Sequence, residues 1–548
     1  MRFIHTMLLT LIVFCAGAQT PARPRLVVGI IVDQMRPDYL VRFGDRFGKD
    51  GFRRILQQGH TCTDTRFNYA PTVTAAGHAS VYTGTTPSVH GIAGNDWYDQ
   101  RSEGVVYCTS DTSVRSVGNG DPLAREGRMS PHRLLTTSIA DQLKLSTQFK
   151  AKVIGISLKD RGAILPAGRS ADAAYWFDAR SGNWISSTWY MNTLPDWAQG
   201  FNNGKRPDKI LSEPWNTVYP IASYTASDPD NTPYENPFLG ETEPVFPHNL
   251  PTLRGTSYEL ARRIPQGNTL TRDFALAAIQ GEDLGKDSIT DFLCLSFSAT
   301  DYVGHQFGPN AIETEDTYLR LDKDIAGLLA ELDARVGKGQ YLVFITADHA
   351  CAENPKFMRD HRFHAGFIDN TAVSDTAKRV LSKLYGDTTY FKSFTNDQIS
   401  LNRAAILRDG RDLCTVERQL AEGMQAAIEG IYLAPDACML ERESMEGSGF
   451  LPLIRNGHYR GRSGHLWMVY SPGWTEKLYS GDGTRGTTHG SPYPYDTHVP
   501  LLWYGWNIRP GKSMQEVSIT DIAPTLSFLL GITLPNGCTG KKIESLLR

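Results

Sequence analysis

The sequence predicts an α/β protein with a doubly wound, mostly parallel sheet and large loop or cap insertions. Three observations carry that expectation. Four short apolar runs, Leu26–Val32, Lys152–Ser157, Phe292–Phe297 and Tyr341–Thr346, have the near-continuous hydrophobicity of strands covered on both faces. Helical periodicity lies between them. Each run also gives way at its carboxyl end to chemically able polar residues, as where ligands bind beyond the strand ends of an open parallel sheet.

Taken in order, the first strand ends at Asp33. The stretch Ala70-Pro-Thr-Val-Thr-Ala-Ala-Gly-His-Ala-Ser-Val-Tyr-Thr-Gly84 then reads as a strand-exit loop turning into a helix. Thr74 falls near the first helical turn, where unpaired N–H groups favour an anion. The small residues behind it would let a charged group approach the backbone closely. A threonine hydroxyl is a poor nucleophile unless a base or a metal ionises it. The competing reading is that Thr74 only caps the helix.

The second strand leads into Leu158-Lys-Asp-Arg161, the third into Asp301-Tyr-Val-Gly-His305 and the fourth into Asp348-His349. Leu321, Ile325, Leu328, Leu329 and Leu332 fall at helix spacing directly before the fourth strand. Residues 130–145 and 269–280 also read as helical. Ile522–Leu530 closes the domain, with Asp521 placed to cap it.

The 548 residues are 41% hydrophobic with a formal net charge of −3, so neither a nucleic-acid-binding basic excess nor an acidic disordered tail is present. Arg2, the apolar run Met7–Phe14 and Ala16-Gly-Ala18 together read as a cleaved secretory signal over residues 1–18. No later run is long and apolar enough to span a bilayer. The expected location is therefore periplasmic or secreted. Residues 19–548 are expected to form one α/β domain. It carries an aromatic, Pro/Asn-rich insertion at about 162–265, including an apparent hairpin at Tyr175–Trp184, and a cap at about 355–485. Seven of the eight cysteines lie beyond the signal, an odd number that leaves at least one free thiol. Cys294, inside a strand pattern, is expected free, and Cys62 with Cys108 and Cys414 with Cys438 are candidate pairs.

Asp33, Asp301, His305, Asp348, His349 and His489 supply six oxygen or nitrogen ligands without a thiolate. That set suits two borderline cations, most simply zinc, with manganese still open because half the set is carboxylate. His361-x-x-His364 reads as structural, and His78 and His498 as packing or supporting residues.

These motifs together resemble the alkaline phosphatase superfamily, and within it the phosphate-irrepressible bacterial alkaline phosphatases. Those share the threonine-nucleophile core of nucleotide pyrophosphatases/phosphodiesterases. The matching residues are Asp33, Pro71-Thr-x-Thr-Ala-Ala-Gly-His78, Pro87-x-x-His-Gly-Ile-x-Gly-Asn95, Asp301-x-x-x-His305, Asp348-His349 and His489. The resemblance implies an alkaline-phosphatase-like fold with two Zn2+ per chain. Asp33, Asp348 and His349 would hold one ion beside Thr74, itself a ligand, and Asp301, His305 and His489 the other. The sulfatase motif Cys/Ser-x-Pro-x-Arg is absent. Thr74 also departs from the serine and third, magnesium site of the enteric enzyme, so no magnesium is expected.

Asn95 can donate a hydrogen bond to a phosphoryl oxygen. Lys159 and Arg161 place two cations toward the same group if both point inward. Ser157-Leu-Lys-Asp-Arg161 resembles the monoesterase signature of the family. The expected function is thus a secreted di-zinc alkaline phosphatase, hydrolysing small phosphate monoesters broadly through a phosphothreonine. It is expected to be monomeric, with no nucleic-acid partner. The alternatives are a nucleotide pyrophosphatase/phosphodiesterase and a non-catalytic phosphate- or glycan-binding protein with structural zinc.

Overall fold

The computed structural model describes residues 23–442, 449–478 and 482–547; the expected leader, residues 1–18, lies outside the described residues. Ten strands form the main sheet: β1 Leu26–Val32, β2 His60–Arg66, β3 Ser116–Val117, β4 Val153–Ser157, β5 Ala173–Asp178, β6 Asn183–Ser187, β7 Asp291–Phe297, β8 Tyr341–Thr346, β9 His498–Gly505 and β10 Gly511–Ser518. Their order across the sheet is β10-β2-β9-β8-β1-β7-β4-β5-β6-β3. The helices that matter for the site are α1 Thr74–Thr83, α2 Ile139–Ser146, α3 Asp160–Ala167, α4 Glu259–Arg262, α5 Gln266–Gly281, α6 Ala299–Phe307, α7 Ile312–Leu332 and α8 Ile522–Leu530.

The middle of the sheet is parallel. β1 pairs with β8 and β7, and β4 pairs with β7 and β5, all in that sense. Every residue of β1, β7 and β8 is buried. Burying each large aliphatic side chain contributes roughly 1.5–3 kcal/mol, and a slip in register would forfeit much of it. The register is Ile31 opposite Thr346 and Val32 opposite Phe297. The carboxyl ends of three strands are therefore level, and Asp33, Asp301 and Asp348 emerge on one rim. Beyond this centre β9, β6 and β3 run antiparallel to their neighbours.

Several expectations change in the structure. The aromatic stretch Tyr175–Trp184 is a hairpin, but its strands β5 and β6 extend the main sheet. Trp184 stacks on Phe274 of α5 at 4.4 Å, and Tyr175 meets the same ring edge-on at 5.3 Å. Residues 162–187 thus belong to the central fold, and the irregular chain starts after them. Helix α2 covers only the end of 130–145: Ser138 and Asp141 form a reciprocal cap that starts it, after Pro131. Asp521 precedes α8 without capping it by its side chain, which accepts from the main-chain N–H groups of Ser518 and Lys541 instead. Cys414 and Cys438 are joined, whereas Cys62 and Cys108 are separate buried thiols, as is Cys294. Within 366–476 a separate apolar core gathers around Val373, Leu381, Ile399, Leu420 and Leu466.

Helix α1 lies close against the end of β8. A Cβ built on Gly77 would lie 2.8 Å from Asp348 Cβ and collide with the Asp348 carbonyl. The run of small residues after Thr74 therefore serves the approach of a helix to a strand end.

Candidate active site

Three imidazoles and three carboxylates converge beyond the strand ends. Asp301 Oδ1 is 3.2 Å from His305 Nε2 and 3.6 Å from His489 Nε2. His349 Nε2 lies 3.6 Å from Asp33 Oδ1 and 3.4 Å from Asp348 Oδ2. The His349 and His489 rings stack with centroids 3.4 Å apart. Asp301, His305 and His489 form one compact ligand group, and Asp33, Asp301 and His349 another. Asp301 thus stands between the two halves, and Asp348 closes the inner one.

The remaining ring nitrogens decide what the imidazoles offer. His305 Nδ1 is 2.8 Å from the Thr487 carbonyl, His489 Nδ1 2.7 Å from that of Thr72, and His349 Nδ1 3.0 Å from that of Ala350. A carbonyl only accepts, so each Nδ1 carries the proton and each Nε2 turns a lone pair toward the carboxylates. Asp33 Oδ1, Asp348 Oδ2 and His349 Nε2 are buried and make no hydrogen bond. Desolvated lone pairs facing one another without a donor are costly. Divalent cations relieve that cost, so these residues fit metal ions.

Electrostatics agree. Burial raises the Asp33 carboxyl, and burial with the charge of Asp33 pushes Asp348 well up. Burial would also raise Asp301, but His305 and Lys159 outweigh it and hold that carboxyl well below its usual range. Burial and neighbouring imidazoles push His349 down and His489 to about 3, leaving both in the neutral form that ligates.

Thr74 opens α1 and is 1% exposed. The helix cap is the extended residue Val73, with no side-chain bond, so Thr74 does not cap the helix. Lys159 Nζ lies 3.4 Å from Thr74 Oγ1 and 2.6 Å from both Asp33 Oδ2 and Asp301 Oδ2. Asn95 Oδ1 accepts from the Ala75 main-chain N–H at 2.9 Å, which ties the amide to the start of α1. Arg161 donates to the Tyr107 hydroxyl at 3.0 Å, and its Nε is buried without a partner. Tyr107 in turn donates to Asp160 Oδ1 at 2.8 Å, and Thr109 donates to Oδ2 of the same carboxylate.

Two contributors escaped sequence reasoning. Gln34 has a φ of 60° and gives its main-chain N–H to Asp348 Oδ1 at 3.1 Å and its side-chain amide to Asp301 Oδ1 at 3.0 Å. Its place directly after a strand-end aspartate was the only available signal. Tyr107, from a distant hairpin, left none. His78 bridges the Thr74 carbonyl and Ser296 Oγ, and His498 contacts the Thr63 carbonyl. His361 and His364 are exposed and sit outside both ligand groups.

The model of the type I phosphodiesterase / nucleotide pyrophosphatase family matches residues 27–492. A protein of Myroides odoratus named calcium-transporting ATPase is 44% identical, over 95% of this chain and 94% of that protein. Alkaline phosphatase PhoV of Synechococcus elongatus is 42% identical, over 97% and 94%. The crystal structure of wild-type alkaline phosphatase PafA superposes with a TM-score of 0.92 at 41% identity, covering 96% of this chain and 99% of that one. A second PafA structure, with one threonine replaced by serine and an asparagine, a lysine and an arginine by alanine, gives a TM-score of 0.90 at 40% identity over 96% and 99%. Fold and site together define an enzyme of the alkaline phosphatase superfamily. Within it, the chain belongs to the type I phosphodiesterase / nucleotide pyrophosphatase family.

Proposed function

We propose that this protein hydrolyses small phosphate monoesters broadly, as a monomer in the periplasm or outside the cell after loss of residues 1–18. The observation that carries the reading is Lys159 Nζ, 3.4 Å from Thr74 Oγ1, with Arg161 two residues on. A monoester presents a dianion, which rewards two cations beside the nucleophile more than the single charge of a diester does. The PafA variant named above alters the same four residue types, Thr, Asn, Lys and Arg, that are assigned roles here.

Two zinc ions are proposed, one held by Asp33, Asp348 and His349 with Thr74, the other by Asp301, His305 and His489. When bound, zinc supplies Lewis-acid charge that lowers the pKa of an adjacent hydroxyl. Thr74 Oγ1 gives its proton to water and forms the new bond to phosphorus, while the ester oxygen departs and takes a proton from water, so the alcohol leaves with no net change in protons. A water molecule then cleaves the Thr74 phosphoester and releases inorganic phosphate. Asn95, Lys159 and Arg161 hold the non-bridging oxygens throughout.

The family description favours a second reading, diester hydrolysis, at the same site. Transport, the name of the Myroides relative, also requires passage through a membrane; among the described residues no helix is long and apolar enough to cross one. The deciding measurement is kcat/KM for an aryl phosphate against its methyl ester on the zinc-loaded protein. Preference for the monoester is expected, and preference for the diester would overturn the proposal.

A further inference from the structure

The cations of the site do not end at Arg161. Tyr302, next to Asp301 on α6, has Lys159 Nζ 5.2 Å from its ring centroid. The Arg262 guanidinium carbon lies 5.3 Å and that of Arg263 5.9 Å from the same centroid. Cations over an aromatic face are attracted by the ring quadrupole, which lets several gather where they would otherwise repel. Arg262 is near enough to Arg161 for the two charges to oppose each other. One carboxylate, Glu259, answers both outer arginines. It binds Arg262 through Nε at 3.1 Å and through Nη2, and reaches Arg263 only at 3.5 Å. The Arg263 guanidinium donates no hydrogen bond among the described residues, and the side chain is 37% exposed against 23% for Arg262. The Tyr302 hydroxyl is likewise unbonded among them. A guanidinium with open donors, one ring's breadth from the phosphoryl-binding lysine, is built to meet a planar or tetrahedral anion.

We infer that Arg262 and Arg263, gathered on Tyr302 beside Lys159, form a second anion subsite that selects phosphate monoesters whose alcohol carries its own carboxylate or phosphate. This rests on the monoesterase reading above but adds a substrate class to it. The subsite acts on binding, because it touches the part of the substrate that does not react.

Phosphonates, which bind without turnover, separate the two claims. Calorimetry on the zinc-loaded full chain compares butylphosphonate with its terminally carboxylated and terminally phosphonylated analogues. The anionic analogues are expected to bind about tenfold tighter than butylphosphonate, and the Arg262→Gln/Arg263→Gln variant to lose that ratio. The two analogues also distinguish a carboxylate-selective subsite from a phosphate-selective one; either supports the inference. Equal affinity for all three ligands, or a preference unchanged in the variant, overturns it, as does failure of all three to bind. If the variant does not fold, the wild-type preference is followed with rising salt: it must shrink as the outer charges are screened, and a salt-independent preference counts against the subsite. A protein that shows the binding preference yet hydrolyses no monoester would defeat the proposed function while leaving the subsite standing.

Discussion

Gln34 joins the two halves of the site: its amide holds Asp301 at 3.0 Å while its main-chain N–H holds Asp348 at 3.1 Å. Asp348 keeps Oδ2 for the cluster, whereas Asp301 shares Oδ1 between Gln34 and the two imidazoles and gives Oδ2 to Lys159, so one residue orients a carboxylate in each half. The positive φ of 60° makes glycine the substitution that removes the amide without straining the backbone. Gln34→Gly is expected to weaken zinc binding about 10–100-fold, read by competition with a chelator. Wild-type affinity in that variant would show that Asp301 needs no such support.

Thr74→Ala should retain the fold, since the helix cap does not use that side chain, yet lose most turnover. No phosphothreonine should be trapped from it after an acid quench, whereas the wild type should yield one. Near-normal kcat with contaminating phosphatase excluded would remove Thr74 from the chemistry.

Charge-assisted hydrogen bonds contribute roughly 1.5–3 kcal/mol each. The Lys159→Ala/Arg161→Ala variant should therefore lose about two to four powers of ten in monoesterase kcat/KM, with a much smaller loss on the methyl diester. Equal losses on both substrates would mean that the two cations do not discriminate by phosphoryl charge.

His90 makes stability acid-sensitive. It is fully buried, accepts from the Ile92 N–H through Nδ1 at 3.1 Å and meets Ser80 Oγ through Nε2 at 2.8 Å, an arrangement only the neutral ring satisfies. Burial lowers its pKa from 6.5 to about 3. Between those values the unfolded chain binds a proton that the native ring refuses, so stability falls as pH drops from about 6.5 toward 3. The slope from this one group is about 1.4 kcal/mol per pH unit. Urea unfolding across that range should be flatter by one proton in His90→Gln, and an unchanged slope would exclude His90 as the source.

The legible parts of the chain are those where one physical requirement dominates. β1, β7 and β8 are buried on both faces, so their sequences are unbroken apolar runs, and the residues that follow them, Asp33, Asp301 and Asp348, stood out against that background. β2, with the sequence His-Thr-Cys-Thr-Asp-Thr-Arg, and the outermost strand β10 face partly polar surroundings and carry no such run. β9 hides Pro500 among apolar residues. Gln34 offered only its place after Asp33, because its role comes from a backbone turn, and Tyr107 offered nothing, because its role comes from a tertiary contact that leaves no local pattern. The pairing of Cys62 with Cys108 failed for the same reason: cysteine spacing says nothing about which thiols the sheet brings together.

Gly77 has a consequence for how this site can vary. Because the helix that begins with Thr74 rests on the main chain of Asp348 through a missing side chain, the two residues travel as one piece. A larger residue at position 77 would collide with the Asp348 main chain and push the start of the helix, and Thr74 with it, away from the strand end. The placement of Thr74 relative to Asp348 thus rests on main-chain contact rather than on a side chain that exchange could tune.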